Sequence, residues 1–152
     1  MPQVMDDLQG ASRHNTAAPT PASRPLSPHL QVWRFHITMF CSILGRLTGM
    51  ALYFGAFIAA GWALALASGP EAFSRYMELL GSPLGVLVLF GLTLSYFFHF
   101  ANGIRHLGFD AGRGMNPKLA TMTGWAALAF AVTATGVVFL VAYVIGALDG
   151  LF

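Results

Sequence analysis

The sequence predicts an all-α integral membrane protein with three transmembrane helices, and three observations carry that prediction. Of its 152 residues, 56% are hydrophobic and only 9% charged, whereas a soluble domain of this size usually carries roughly 25% charged residues. Three apolar runs, at about residues 37–67, 83–105 and 119–148, each exceed the roughly 20 residues that cross a bilayer as a helix. The connections between them concentrate the Gly, Pro and charge that end membrane helices. These runs make one anchor domain, residues 30–152, preceded by a polar tail, residues 1–29. The eight Lys and Arg residues are scattered singly rather than clustered on one face, which excludes a nucleic-acid surface.

The tail lacks the apolar core of a secretory signal, and Asp6 and Asp7 argue against a cleaved organellar transit peptide. Its composition predicts a mobile segment. The stretch Arg24-Pro25-Leu26-Ser27-Pro28 cannot be helical throughout, because each proline biases its predecessor away from the α region. Leu30 to His36 then reads as an interfacial approach carrying Trp33 and Arg34, residue types that anchor at headgroup level.

The first span, Ile37 to Ala67, is broken at Ser68-Gly69-Pro70 and contains one charge, Arg46. That arginine stands about 15 Å along the helix from His36. So deep a cation costs several kcal/mol without water or an anionic partner, so it is expected to face protein rather than lipid. Ser42, four residues earlier, shares its face. Gly45 and Gly49 form a G-x-x-x-G pair that predicts close helix packing. Cys41, the only cysteine, reads as a small buried hydrophobe.

Residues Ser68 to Ser82, with Glu71, Arg75 and Glu78, predict a polar connection holding a short amphipathic helix. The second span, Pro83 to Arg105, contains His99, and a polar loop from Asp110 to Lys118 follows. Asn116-Pro117 opens the third span, which ends at Asp149-Gly150 and has no ionisable group except Tyr143.

Three spans put the termini on opposite sides. Arg13, Arg24, Arg34, Arg105, Arg113 and Lys118 collect on the side of the N-terminus, against Arg75 alone on the other. By the positive-inside rule the N-terminus is expected to face the cytoplasm. The antiparallel arrangement then sets the start of span one beside the end of span two. Ser42, Arg46 and His99 are thereby gathered into the cytoplasmic half of the bilayer.

His99 is the first candidate functional residue, since an ionisable group inside a membrane helix is costly to desolvate. Gly103 and His106 lie within about 40° of it on the helical wheel, giving a ring, a gap and a second ring along one stripe. A flat cofactor fits such a stripe. The competing reading is a histidine that bonds a neighbouring helix and a glycine that serves packing. A haem needs axial donors, propionate partners and an apolar slot. His99 supplies one donor, Arg46 and His106 supply cations, and Gly103 supplies the gap. Covalent c-type attachment is excluded because no C-x-x-C-H is present. A second axial donor is lacking: His106 is about 10 Å along the same helix and His36 lies at the interface. A quinone instead needs a hydrogen-bond donor and a cation where negative charge develops. Ser42 and Arg46 offer both, although a membrane-helix hydroxyl often bonds back to its own backbone.

These residues carry a resemblance. The blocks Arg24-Pro-Leu-Ser-Pro-His29-Leu30, Ser42-Ile43-Leu44-Gly45-Arg46-Leu47-Thr48-Gly49 and His99-x-x-x-Gly103-Ile104-Arg105-His106-Leu107-x-x-Asp110 occur in the right order and at the right span positions. The chain thus resembles the cytochrome b subunits of succinate dehydrogenase, the larger of the two membrane anchors of respiratory complex II. The resemblance implies that His99 is an axial ligand of haem b iron, with His106, Arg46 and Gly103 about the cofactor. It implies a ubiquinone site lined by Ser42, Ile43 and Arg46. It also implies a second small anchor subunit giving the other haem histidine, together with iron–sulfur and flavoprotein subunits, the last holding the succinate site. One departure is Gly45, where the family commonly has a histidine near the haem propionates. The implied location is the bacterial inner (cytoplasmic) membrane, with the mitochondrial inner membrane as the alternative. Two other readings stay open, a quinol-oxidising fumarate reductase anchor and a purely structural anchor without cofactor.

Overall fold

The computed structural model describes residues 34–146. The tail, the approach up to Trp33 and the end of the third predicted span lie outside the described residues. Four helices follow in order: α1 (Ile37–Ala67), α2 (Pro70–Gly81), α3 (Pro83–Asp110) and α4 (Pro117–Val144). Three of them, α1, α3 and α4, are long and apolar enough to cross a membrane. They run alternately up and down the bundle, α3 packs against both α1 and α4, and α2 lies on α1 and α3.

Two helix ends differ from the sequence expectation, for the same physical reason. Charge ends membrane burial, but a helix continues until the backbone is turned. Thus α3 runs past Arg105 to Asp110, where Gly112 adopts φ 71° and its N–H bonds to the Phe109 carbonyl at 2.9 Å. Likewise α4 stops at Val144 although the apolar run goes on, because Gly146 takes φ 73° and donates to the Tyr143 carbonyl at 3.1 Å. Left-handed backbone of this kind is where glycine ends helices. The helix starts are conventional. Pro70, Pro83 and Pro117 occupy first-turn positions that need no N–H, and the Ser82 and Asn116 side chains cap α3 and α4.

The predicted amphipathic connection is α2. Its polar side is exposed, with Arg75 Nη2 donating to Glu71 Oε1 at 2.6 Å. Its inner side reaches α1, where the Tyr76 hydroxyl donates to the Ile58 carbonyl at 2.7 Å. At the turn into α3, a Cβ on Gly85 would collide with the carbonyl oxygens of Leu79 and Leu80.

The core is thin and made mainly of small residues. Gly124, Ala127, Ala131 and Thr135 form the buried stripe of α4 at helical spacing. Cys41, Phe98 and Ala131 meet at the centre, with Ile37, Leu44, Leu94, Phe97 and Leu128 packed around them. Cys41 is fully buried, as expected of a small hydrophobe, and its thiol lies 3.8 Å from the Gly124 carbonyl. In lipid, where greasy side chains gain little by leaving their solvent, such close backbone approach is what holds helices together. Many of the large apolar side chains, including Tyr53, Phe54, Phe57 and Trp125, are left on the outside.

Candidate functional site

His99 sits where α3 crosses α1, over the Gly45–Gly49 pair. A Cβ on Gly49 would stand 3.2 Å from His99 Cε1, and one on Gly45 would stand 2.9 Å from Asn102 Nδ2. The pair does permit close packing, and what fills the room is a ring and an amide. His99 Nδ1 lies 3.2 Å from the Gly45 carbonyl and 3.3 Å from Thr48 Oγ1. The Thr48 hydroxyl proton is committed to its own helix, at 2.8 Å from the Leu44 carbonyl. A carbonyl can only accept, so this network assigns a proton to Nδ1, and in the neutral ring the lone pair is then on Nε2. The ring is otherwise exposed. Four residues on, Gly103 leaves open space, since a Cβ there would meet nothing within 4 Å.

Beside the ring, a polar ladder ties α3 to α4. Asn102, only 4% exposed, accepts from Arg105 Nη1 at 3.3 Å. Arg105 reaches across to α4, where Nε donates to Thr123 Oγ1 at 3.1 Å and Nη2 to the Ala120 carbonyl at 3.0 Å. Its guanidinium also lies 4.9 Å from the centroid of the Phe109 ring, within cation–π range.

Ser42 and His106, assigned separately in the sequence, come together. Both line a groove of about 390 Å³ with Thr38, Arg105, Phe109, Met115 and Ala120. The Ser42 side chain is exposed and has no hydrogen-bond partner among the described residues. Thr48, Ser68, Thr93, Thr121 and Thr123 do bond back to carbonyls four residues earlier. His106 sets its ring edge-on to Phe109, centroids 5.9 Å apart. Arg46 and Ile43 are outside this lining. Ile43 is 50% exposed on the outer surface of α1. Arg46 is exposed and without a partner among the described residues, so the expectation that it faces protein is not met within this chain.

As an iron ligand, the neutral His99 ring has the right chemistry: an anchored Nδ1–H, Nε2 as the remaining donor atom and open space at Gly103 beside it. Such anchoring of the second ring nitrogen fixes the tautomer and raises ligand basicity. Thr48 and Asn102 are the residues that sequence reasoning missed as supports. The available signal was their polarity inside apolar runs, with Asn102 three residues before Arg105. Among the described residues no group of three His, Cys, Asp or Glu could hold a metal ion alone.

Comparison with known proteins adds an independent line. The sequence profile of the family described as succinate dehydrogenase/fumarate reductase transmembrane subunit matches residues 20–138. A succinate dehydrogenase cytochrome b556 subunit of Paracoccus denitrificans is 37% identical over 110 residues, covering 72% of this chain and 85% of that protein. One from Rickettsia felis is 33% identical over 112 residues, covering 74% and 87%. The mitochondrial cytochrome b560 subunit of succinate dehydrogenase from Sus scrofa is 37% identical over 108 residues, covering 68% and 62%.

Proposed function

The chain belongs to the succinate dehydrogenase/fumarate reductase transmembrane subunit family, as a cytochrome b membrane subunit of the succinate dehydrogenase complex, and on that premise we propose that it holds haem b through His99 and forms part of a ubiquinone site. The observation that carries this reading is the His99 network, in which Gly45 and Thr48 of α1 take up Nδ1 and leave Nε2 as the donor. Gly103 keeps the next turn of α3 open, and His106 and Arg46 are the cations available to propionates. Haem b held there supplies one-electron storage close to the quinone. A second histidine ligand would come from a second, small anchor subunit, since His106 is about 10 Å along the same helix.

At the quinone, Ser42 donates its free hydroxyl to a carbonyl oxygen, and the Arg46 guanidinium stabilises the negative charge that develops as electrons arrive. Ile43 gives an apolar contact at the pocket edge. The partner subunits cover Arg46, which otherwise faces lipid at a cost of several kcal/mol. Arg105, Arg113 and Lys118 gather at one end of the bundle, while Arg75 at the other is paired with Glu71. That asymmetry supports an N-terminus in the cytoplasm and docking of the iron–sulfur and flavoprotein subunits at the charged end. The membrane is the bacterial inner membrane, and the succinate site is on the flavoprotein.

The test is the reduced-minus-oxidised absorption spectrum of the purified complex, with quinone-dependent succinate oxidation measured on the same sample. A b-type band with quinone reductase activity is expected. Activity without any b-type band would leave this chain a structural anchor.

A further inference from the structure

A second groove lies between α3 and α4, and no residue of α1 contributes to it. It encloses about 540 Å³, within the roughly 300–1,000 Å³ typical of small-molecule clefts. Its walls are apolar, with Phe100, Ile104 and Phe109 on one side and Ala126 and Phe130 on the other. Ile104 and Gly108 lie roughly 140–180° round α3 from His99, so this is not the proposed haem face.

The charged end of the groove is built from two cations and no acid, Arg105 and Arg113. Arg105 spends three of its five N–H donors on Thr123, Asn102 and Ala120, which leaves two. The Arg113 side chain is exposed, with no hydrogen-bond or ion-pair partner among the described residues. It is nevertheless held at the groove, because the Arg113 N–H donates to the Gly108 carbonyl at 2.9 Å. Gly112 and Gly114 on either side adopt φ 71° and 81°, which folds the loop back over the end of α3. Asp110, the nearest acid in sequence, falls on the His99 side of the helix, about 20° from that residue.

A free anion has no use for the aromatic walls of Phe100, Phe109 and Phe130, and a partner-subunit contact at the same cations is an outcome that the test below separates. A lipid satisfies both halves: basic pockets between transmembrane helices recognise phosphate headgroups, while an acyl chain follows the apolar wall. We infer that this groove is a binding site for an anionic phospholipid, with one acyl chain along Phe100, Ile104 and Phe130 and the phosphodiester at Arg113. The inference needs only that the chain spans a membrane and is independent of the haem and quinone assignments.

The test uses the assembled complex in nanodiscs of equal dioleoylphosphatidylglycerol and dioleoylphosphatidylcholine, with retained lipid counted by native mass spectrometry after transfer to detergent. The wild-type complex is expected to retain phosphatidylglycerol several-fold over phosphatidylcholine. Arg113→Gln should abolish that preference. Gly108→Leu should remove one bound lipid per complex whatever its headgroup, because a Cβ at Gly108 meets nothing within 4 Å and the side chain enters the groove. Ala126→Leu fills the same space from the opposite wall and gives the same reading if the first variant assembles poorly. No preference in the wild type, or wild-type lipid retention in Arg113→Gln or in both groove-filling variants, overturns the site. Loss of the peripheral subunits from Arg113→Gln with lipid retained also overturns it, by making that cation a protein contact.

Discussion

Nδ1 of His99 lies 3.2 Å from the carbonyl oxygen of Gly45, a residue 54 positions earlier on a different helix. The bond sets the tautomer of the ring. It is possible only because Gly45 and Gly49 let α3 come close enough for a side chain to reach the α1 backbone. The glycine pair and the histidine are therefore one device, and the first two predictions test its two ends.

Replacing His99 by Ala removes the proposed axial donor, so the assembled complex should lose its b-type band or show it much weakened. His106→Ala should keep the iron bound and at most shift its potential. Reduced-minus-oxidised spectra normalised to flavin decide the matter, and an unchanged spectrum in the His99 variant would sink the assignment.

Gly49→Val puts a branched side chain against the His99 ring, where even a Cβ would come within 3.2 Å of Cε1. Haem content should fall. Gly91→Ala is the control, since a Cβ there meets nothing within 4 Å and the change should be neutral or stabilising by up to about 1 kcal/mol. Equal haem content in the two variants would contradict the close-approach account.

Arg105→Gln cuts two contacts from α3 to α4, those with Thr123 and Ala120. Interhelical polar contacts in membranes are worth about 0.6 kcal/mol on average and up to about 1.7. The variant should thus be less stable by about 1–3 kcal/mol, read as a lowered Tm of the complex in detergent. Arg105→Lys keeps the charge but not the planar fork, and recovers only part of the loss.

Ser42→Ala removes the hydrogen bond proposed to the quinone, worth about 0.5–1.5 kcal/mol, or up to roughly tenfold in turnover or affinity. Arg46→Leu should be worse, because it removes a full charge. Succinate oxidation by an artificial acceptor should persist in both, since the flavin is on another subunit. Equal loss of both activities would assign these residues to assembly, and retention of both would remove them from the quinone site.

Much of this was legible in the sequence because a membrane helix announces itself by length and apolarity. Turning 100° per residue then fixes which side chains share a face. The α1–α3 neighbourhood followed from antiparallel order alone. Periodicity does not fix the rotation of one helix against the next, however. Thr48 and Asn102 were therefore invisible as supports for His99 and Arg105, and nothing told that Ser42 and His106 would share a groove while Arg46 stood outside it. Charge and apolarity mark where a membrane span ends rather than where a helix does, and at Asp110 and Val144 two left-handed glycines set the helix ends.

The short helix α2 gives the histidine a history. The Tyr76 hydroxyl grips the Ile58 carbonyl, and Gly85 lets the α2 carbonyls seat directly on the start of α3. The connection is thus a buckle at the far side of the bilayer. Because α1, α2 and α3 emerge from the ribosome before α4, the hairpin can be fastened while the chain is still being made. A change in the length of that buckle by a single residue would reach the ring as a rotation of roughly 100°, from the membrane surface opposite the chemistry.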